Sequence, residues 1–430
     1  MKKFIVVLIN IFVFITFAQA QLTANGNYKI YNNFQGIDNL IVFNGIVAST
    51  EISYTGNANS VNWYKFSDLT NSISNLRSFS PEDNTGYILD ADGKKTRFWV
   101  FDYKNYVPVF TSFIPENTPS TQCKNLKINL IATIPPMSYF TKDNTSFTIG
   151  RNFNLTYQTL EWGGESWKTK DIAVGVTLPK TTIEVADAPL CDTYFTLSGD
   201  QFADELNIKP ASIISPFYSA VAVACKITTT TTERIQKNEA DRPDKKTVSG
   251  SSPLDILFIS NANVPVATFY KWEIKKEGKV LINRTTDEHR YTFVDAGSYT
   301  VVLTVSNNYC SYSDSVKINI STSAIQVPNV FTPNGDGVND EFRVAYKSIK
   351  SFQCWVYNRW GRKVYYWNDP QKGWDGKING RDAAPGAYFY VIKALGTDFV
   401  PSSAPDQVTR KRVGEYLLKG DINLLRGGKD

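Results

Sequence analysis

Histidine is almost missing from this 430-residue sequence, where His289 stands alone. A Ser-His-Asp or Cys-His arrangement would have to use that one residue, and a metal site built from several histidines is excluded. His289 sits in "TTDEHRYTF", just before an expected strand, and reads as a polar surface side chain. Methionine is scarce, at 2 residues, and the 5 cysteines (Cys123, Cys191, Cys225, Cys310 and Cys354) lie far apart. None of them has the close spacing of metal ligands. Long apolar runs are lacking beyond residue 20, so no later segment reads as a membrane-crossing helix. Two-carboxylate chemistry needs no histidine, yet the 41 Asp and Glu are scattered through expected turns and no nucleophile motif is present. The sequence does not read as an enzyme.

Aromatics are plentiful, with 9 Trp, 23 Tyr and 26 Phe. Together with abundant Thr, Val and Ile, they favour pleated, half-buried surfaces over helices. The expected fold is all-β. Residues 1–20 read as a secretory signal peptide: Lys2 and Lys3, then an apolar stretch from Phe4 to Phe17, then Ala18-Gln19-Ala20. Cleavage is expected before Gln21. Position 21 is not cysteine, so lipoprotein processing is not expected.

Beyond the signal, the chain divides into β-rich stretches. Residues 21–113 are expected to form an immunoglobulin-like sandwich, with Trp63 mid-strand in "VNWYKF" and a hairpin turning at Asp92-Gly93. Trp63 and Trp99 are expected in its core. Residues 114–232 read as a second sandwich. Residues 233–249 hold dense mixed charge ("ERIQKNEADRPDKK") and read as a linker. In an oxidising setting Cys191–Cys225 is the favoured disulfide, although spacing fixes no connectivity. Cys354 alternates with Phe352 and Val356 and reads as a buried free thiol.

"NVFTPNGDGVNDEF" (329–342) invites comparison with a calcium loop. Asn334, Asp336 and Asp340 fall at ligand-like positions, but Thr332 stands where a carboxylate belongs and Arg343 where a bidentate Glu belongs. An Asx-rich turn is the better reading, with calcium kept as a weak candidate and no other cofactor expected.

Two resemblances carry the functional reading. "FYKWEI" followed by "AGSYTVVLTVSN" resembles a PKD domain over residues 250–322, which speaks to fold and hardly to function. The pieces "NVFTPNGDGVNDEF", "VYNRWGRKVY", "WDGKINGRDAAPGAYFY" and "LKGDINLLR" occur in that order over residues 323–430. They closely resemble the gliding-motility-associated C-terminal domain, the type B sorting signal of the Bacteroidetes type IX secretion system. The resemblance implies a seven-strand sandwich that docks on the outer-membrane translocon and an associated outer-membrane barrel after Sec export. It implies a secreted or cell-surface protein. Trp360, Gly361, Trp374, Gly376, Leu424 and Arg426 are the docking candidates; for both tryptophans core packing is the more expected role, and Arg426 is expected on the surface. One departure is the insert "LGTDFVPSSAPDQVTRKRVG" ahead of the last strand.

Residues 321–430 carry 16 Lys and Arg against 11 Asp and Glu, which accounts for the whole chain's net charge of +5. Such an excess suits docking onto an acidic surface. "TRKRVG" is too short and isolated to indicate nucleic-acid binding. Three functional readings follow. The first is an exported binding or adhesion protein, with a surface glycan or protein ligand for residues 21–322. The second is a structural or accessory component of the gliding and secretion apparatus. The third, less favoured, is a glycoside hydrolase.

Overall fold

The computed structural model describes residues 22–399 and 413–426. The expected signal peptide (1–20) and most of the insert before the last strand lie outside these residues. The described chain is all-β, with a single short α-helix among its strands.

The first unit has a five-stranded sheet. Its strands are β1 (Tyr28–Phe34), β2 (Ile37–Phe43), β3 (Val61–Lys65), β4 (Thr85–Ala91) and β5 (Lys94–Asp102), in the spatial order β1-β2-β5-β4-β3. Asp92 and Gly93 take positive φ in the β4–β5 turn, the left-handed geometry that Asp and Gly tolerate best. Strand β2 is apolar on both faces because both faces are covered. Ile41 and Phe43 join Trp63, Tyr87 and Phe98 in one core. Leu40 and Val42 join Trp99 and Phe101 in another, completed by Met137, Tyr139, Phe202 and Leu206 of the following unit. Units one and two therefore share apolar packing.

In the second unit, β6 (Val109–Pro115), β7 (Leu126–Thr133) and β10 (Thr182–Val185) face a four-stranded sheet of β8 (Arg151–Trp162), β9 (Trp167–Leu178), β11 (Thr196–Gly199) and β12 (Ala211–Ile214). Helix α1 (Gln201–Glu205) follows β11 and is capped by Asp200. The Asp200 carboxylate also accepts a hydrogen bond from the Tyr103 hydroxyl at 3.0 Å and pairs with Arg151. Arg151 donates to the Tyr106 carbonyl at 2.9 Å and lies 5.5 Å above the Tyr103 ring. This ion pair is closed to solvent at the junction of the two units, with side-chain exposures of 2% and 0%.

The third unit corrects a boundary. β13 (Thr228–Thr231), assigned from sequence to the second unit, pairs with β14 (Leu254–Ile259) of the third. Together with β17 (Glu288–Phe293) these form one sheet. The other is built on β15 (Phe269–Lys276), β16 (Lys279–Arg284), β18 (Gly297–Ser306) and β19 (Ser311–Ile320). Trp272 is buried between the two sheets. His289 lies inside β17 rather than before it, half-buried, and burial holds its pKa below the usual value.

The disulfide is also corrected. Cys123 bonds to Cys310 across a sequence separation of 187, tying the second unit to the β18–β19 turn of the third. Cys191 and Cys225 are both free. Cys225 is committed to the third unit's core, where burial pushes its thiol up to about 12. Cys354 is free and buried, its thiol also raised by burial. In the oxidised native protein, a thiol reagent at mildly alkaline pH should therefore label Cys191 first and reach Cys225 and Cys354 only after denaturant is added. Peptide mapping that found Cys123 or Cys310 labelled without reductant would contradict this pairing.

The expected linker 233–249 is folded in place, because its charges find partners. Arg234 pairs with Glu239 at 2.5 Å, Asp241 with Lys347 at 2.7 Å, and the Ala240 amide donates to the Tyr346 carbonyl at 2.8 Å. It thus bridges units three and four.

Candidate docking site

The fourth unit is built on β20 (Ile349–Tyr357), β21 (Lys363–Trp367), β22 (Gly386–Gly396) and β23 (Glu415–Leu424). Val330–Phe331 adds to β23 in parallel, giving a five-stranded sheet. Its inner face packs Cys354, Val356, Trp367, Ile392 and Ile422 against Phe331, Phe342 and Trp374.

The sequence motifs converge at one end of this sandwich. In the 332–342 turn, the Asp340 carboxylate accepts the amides of Gly335 (2.7 Å) and Gly337 (2.8 Å). The Asp336 carboxyl accepts from the Asn334 side chain and the Val338 amide, which holds its pKa below the usual carboxylate range. Both glycines have positive φ. The side chains at these positions thus organise the turn itself. The turn then locks to the "GWDGK" segment: Phe342 and Trp374 exchange backbone hydrogen bonds at 2.8 and 3.0 Å. The Trp374 indole donates to the Lys377 carbonyl at 2.8 Å. A Cβ on Gly373 would stand 2.8 Å from the Phe342 carbonyl oxygen, which accounts for glycine there.

Four of the six docking candidates are held within the fold of the unit. Trp374 and Leu424 are wholly buried. Gly376 has φ +73 and is hemmed in by Leu424 and Pro333. Arg426, expected on the surface, turns inward. Its guanidinium donates to the carbonyls of Gly376 (2.9 Å), Ala383 (3.4 Å) and Pro333 (3.4 Å), and pairs with Asp382 at 3.2 Å. It ties three motif segments together, so charge reversal there breaks the fold rather than testing docking alone. Trp360 and Gly361 are different. They form the tip of the β20–β21 hairpin, where the Asn358 side chain accepts the amides of Trp360 and Arg362. Trp360 is 74% exposed, with the Arg359 guanidinium 4.3 Å above its ring.

The sequence reading missed the outer face of the sheet. Trp355 lies beside Tyr366 on β21 and Val391 on β22, and Val391 beside Lys419 on β23. Phe389 and Leu417 stand on the same face, 47% and 56% exposed. The signal was present: "FQCWVY" and "AYFYVIK" are apolar or aromatic at both parities, which marks a strand with two apolar faces. Among the described residues, no group of three or more His, Cys, Asp or Glu is placed to hold a metal ion.

No curated protein sequence matches the chain. Among solved structures it is similar to Sidekick-1 immunoglobulin domains 1–5, at 10% identity and TM-score 0.25, covering 94% of this chain and 78% of that one. It is also similar to the chicken CNTN1 FN1–FN3 domains, at 9% identity and TM-score 0.23, covering 74% and 98%. Likenesses this weak carry no functional argument. Residues 116–215, the core of the second unit, match a fibronectin type III domain family. No helix among the described residues is long and apolar enough to cross a membrane. Residues 325–402, which contain the 332–342 turn, the exposed hairpin and β22, match the CHU_C Type IX secretion signal domain, and that match implies export to the cell surface or the medium.

Proposed function

We propose that the chain is an exported binding protein. Residues 323–430 direct it across the outer membrane through the type IX translocon and its associated barrel. Residues 22–322 present the ligand-binding surface, on the cell exterior or in the medium. The match to the type IX secretion signal domain carries this reading. Its self-contained core supports recognition of a folded domain, since the motif segments come together only once the sheet has packed. Binding rather than catalysis suits the upstream units, which are small β-sandwiches, one of them matching a fibronectin type III family.

The test is a fusion of residues 323–430 behind a Sec signal and a fluorescent protein, expressed in a cell with type IX export. The fusion should reach the cell surface or medium. Retention in the periplasm while another type B substrate exits would overturn the reading.

A further inference from the structure

The outer face of the fourth unit's sheet is furnished like an interior, yet among the described residues it stays exposed. Across β21-β20-β22-β23, one row reads Tyr366, Trp355, Val391, Lys419 and the next reads Gln353, Lys393, Leu417. Tyr357 and Phe389 are cross-strand neighbours in a third row, which ends at Asp421. The side chains are ordered among themselves. The Trp355 and Tyr366 rings lie 5.5 Å apart, the Lys393 ammonium sits 5.9 Å from the Trp355 ring centre, and Gln353 donates to the Tyr366 hydroxyl at 3.3 Å. Among the described residues no second layer packs on this face. In the first unit, a sheet that is apolar on both sides has both sides covered.

Charge identifies the kind of cover. Lys393 and Lys419 stand within the apolar rows, and Arg359, Arg362 and Lys363 flank them at the hairpin end beside Trp360. Two carboxylates, Asp421 and Glu415, share the face. The four charges on the rows balance, so the cationic excess is that of Arg359, Arg362 and Lys363 at the hairpin end. An apolar patch with such an edge fits an acidic surface with apolar pockets, because aromatic anchors supply the burial energy while the rim charges steer and fix the register.

We propose that this face is where the domain docks on an acidic surface of a protein of the outer-membrane export machinery. The inference rests on the reading that residues 323–430 direct export, and it adds which side of the domain is read. The turn and Arg426 end of the sandwich builds the fold; the flat aromatic–lysine face meets the partner.

The experiment uses the full chain in a type IX-competent cell. Lys393→Glu/Lys419→Glu reverses charge on the face. Lys279→Glu/Lys317→Glu makes the same change of charge on exposed positions of the third unit. The first pair is expected to cut the exported fraction about tenfold, equivalent to one decade of affinity, and the second to leave it unchanged. Melting curves establish that each variant is folded. If the face variant melts early, Phe389→Ser, which removes an exposed apolar anchor, decides in its place. A folded face variant that exports normally, while a chain truncated after residue 322 stays in the periplasm, overturns the docking face and spares the sorting reading. A truncated chain that still exits overturns both. Purified full chain should also bind outer-membrane vesicles from the same cell and lose that binding when the vesicles are shaved with protease. Binding that survives shaving would assign the face to a lipid surface instead of a protein and overturn the proposal.

Discussion

Replacing Asp200 with alanine is expected to cost about 3–5 kcal/mol, because it leaves the Arg151 guanidinium buried without its counter-charge. The geometry concentrates several losses in one carboxylate. It pairs with Arg151, accepts the Tyr103 hydroxyl, and caps α1 through the amides of Phe202 and Ala203. Tyr103 belongs to the first unit's half of the shared core and Phe202 to the second's, so the damage falls on the joint. Early melting and faster proteolysis near Met137–Ile149 are the expected signs. The double variant Arg151→Met/Asp200→Ala should recover part of the loss, since removing both charges leaves none stranded. What remains is the lost helix cap, about 1 kcal/mol. A double variant no better than Asp200→Ala alone would show that the charges do not act as a pair.

Trp374→Ala and Trp360→Ala are expected to separate by their effects on the sorting domain. Trp374 is wholly buried against Phe331 and Tyr388, with ring centres 5.4 and 4.9 Å away, and its indole N–H is satisfied by Lys377. Its truncation should cost about 3–5 kcal/mol and abolish export through unfolding. Trp360 projects from the hairpin tip, and its truncation should change stability by no more than ~0.5 kcal/mol. Any export defect of Trp360→Ala therefore reports on recognition. The measurement is thermal unfolding of each variant beside the fraction of protein outside the cell. Comparable destabilisation by both would contradict the placement of the two side chains.

These two tryptophans also show where sequence reading stops. Turn residues and period-two alternation announce the β4–β5 hairpin and the buried parity of β18, because both depend on near neighbours in the chain. Trp360 and Trp374 each sit beside a glycine in a turn, and nothing local says that one turn folds back onto Phe342 while the other stands in solvent. Arg426 reads as a terminal surface charge until Gly376, Ala383 and Pro333 bring three carbonyls around it. The segment 233–249 looks like a solvated linker because its partners, Lys347 and Tyr346 among them, lie about a hundred residues on. The cysteine pairing fails for the same reason: Cys123–Cys310 depends on how two units meet, whereas Cys191–Cys225 is merely closer in sequence. The outer face of β20–β23 was written in its double apolar parity, but identifying it required knowing that no described residue packs a second layer on that side.

The Cys123–Cys310 bond sets the path of mechanical load. A pull between the first unit and the exported C-terminal domain enters at Cys123, crosses to Cys310, and leaves along β19 into the fourth unit. The 187-residue separation between the cysteines, which takes in most of the second and third sandwiches, is bypassed and bears no tension while the bond holds. At about 3.4 Å per extended residue, this removes roughly 600 Å from the length to which the chain can be drawn out. Under shear, β6 and β19 carry the load through the second and third sandwiches, while the strands between Cys123 and Cys310 are covalently bypassed.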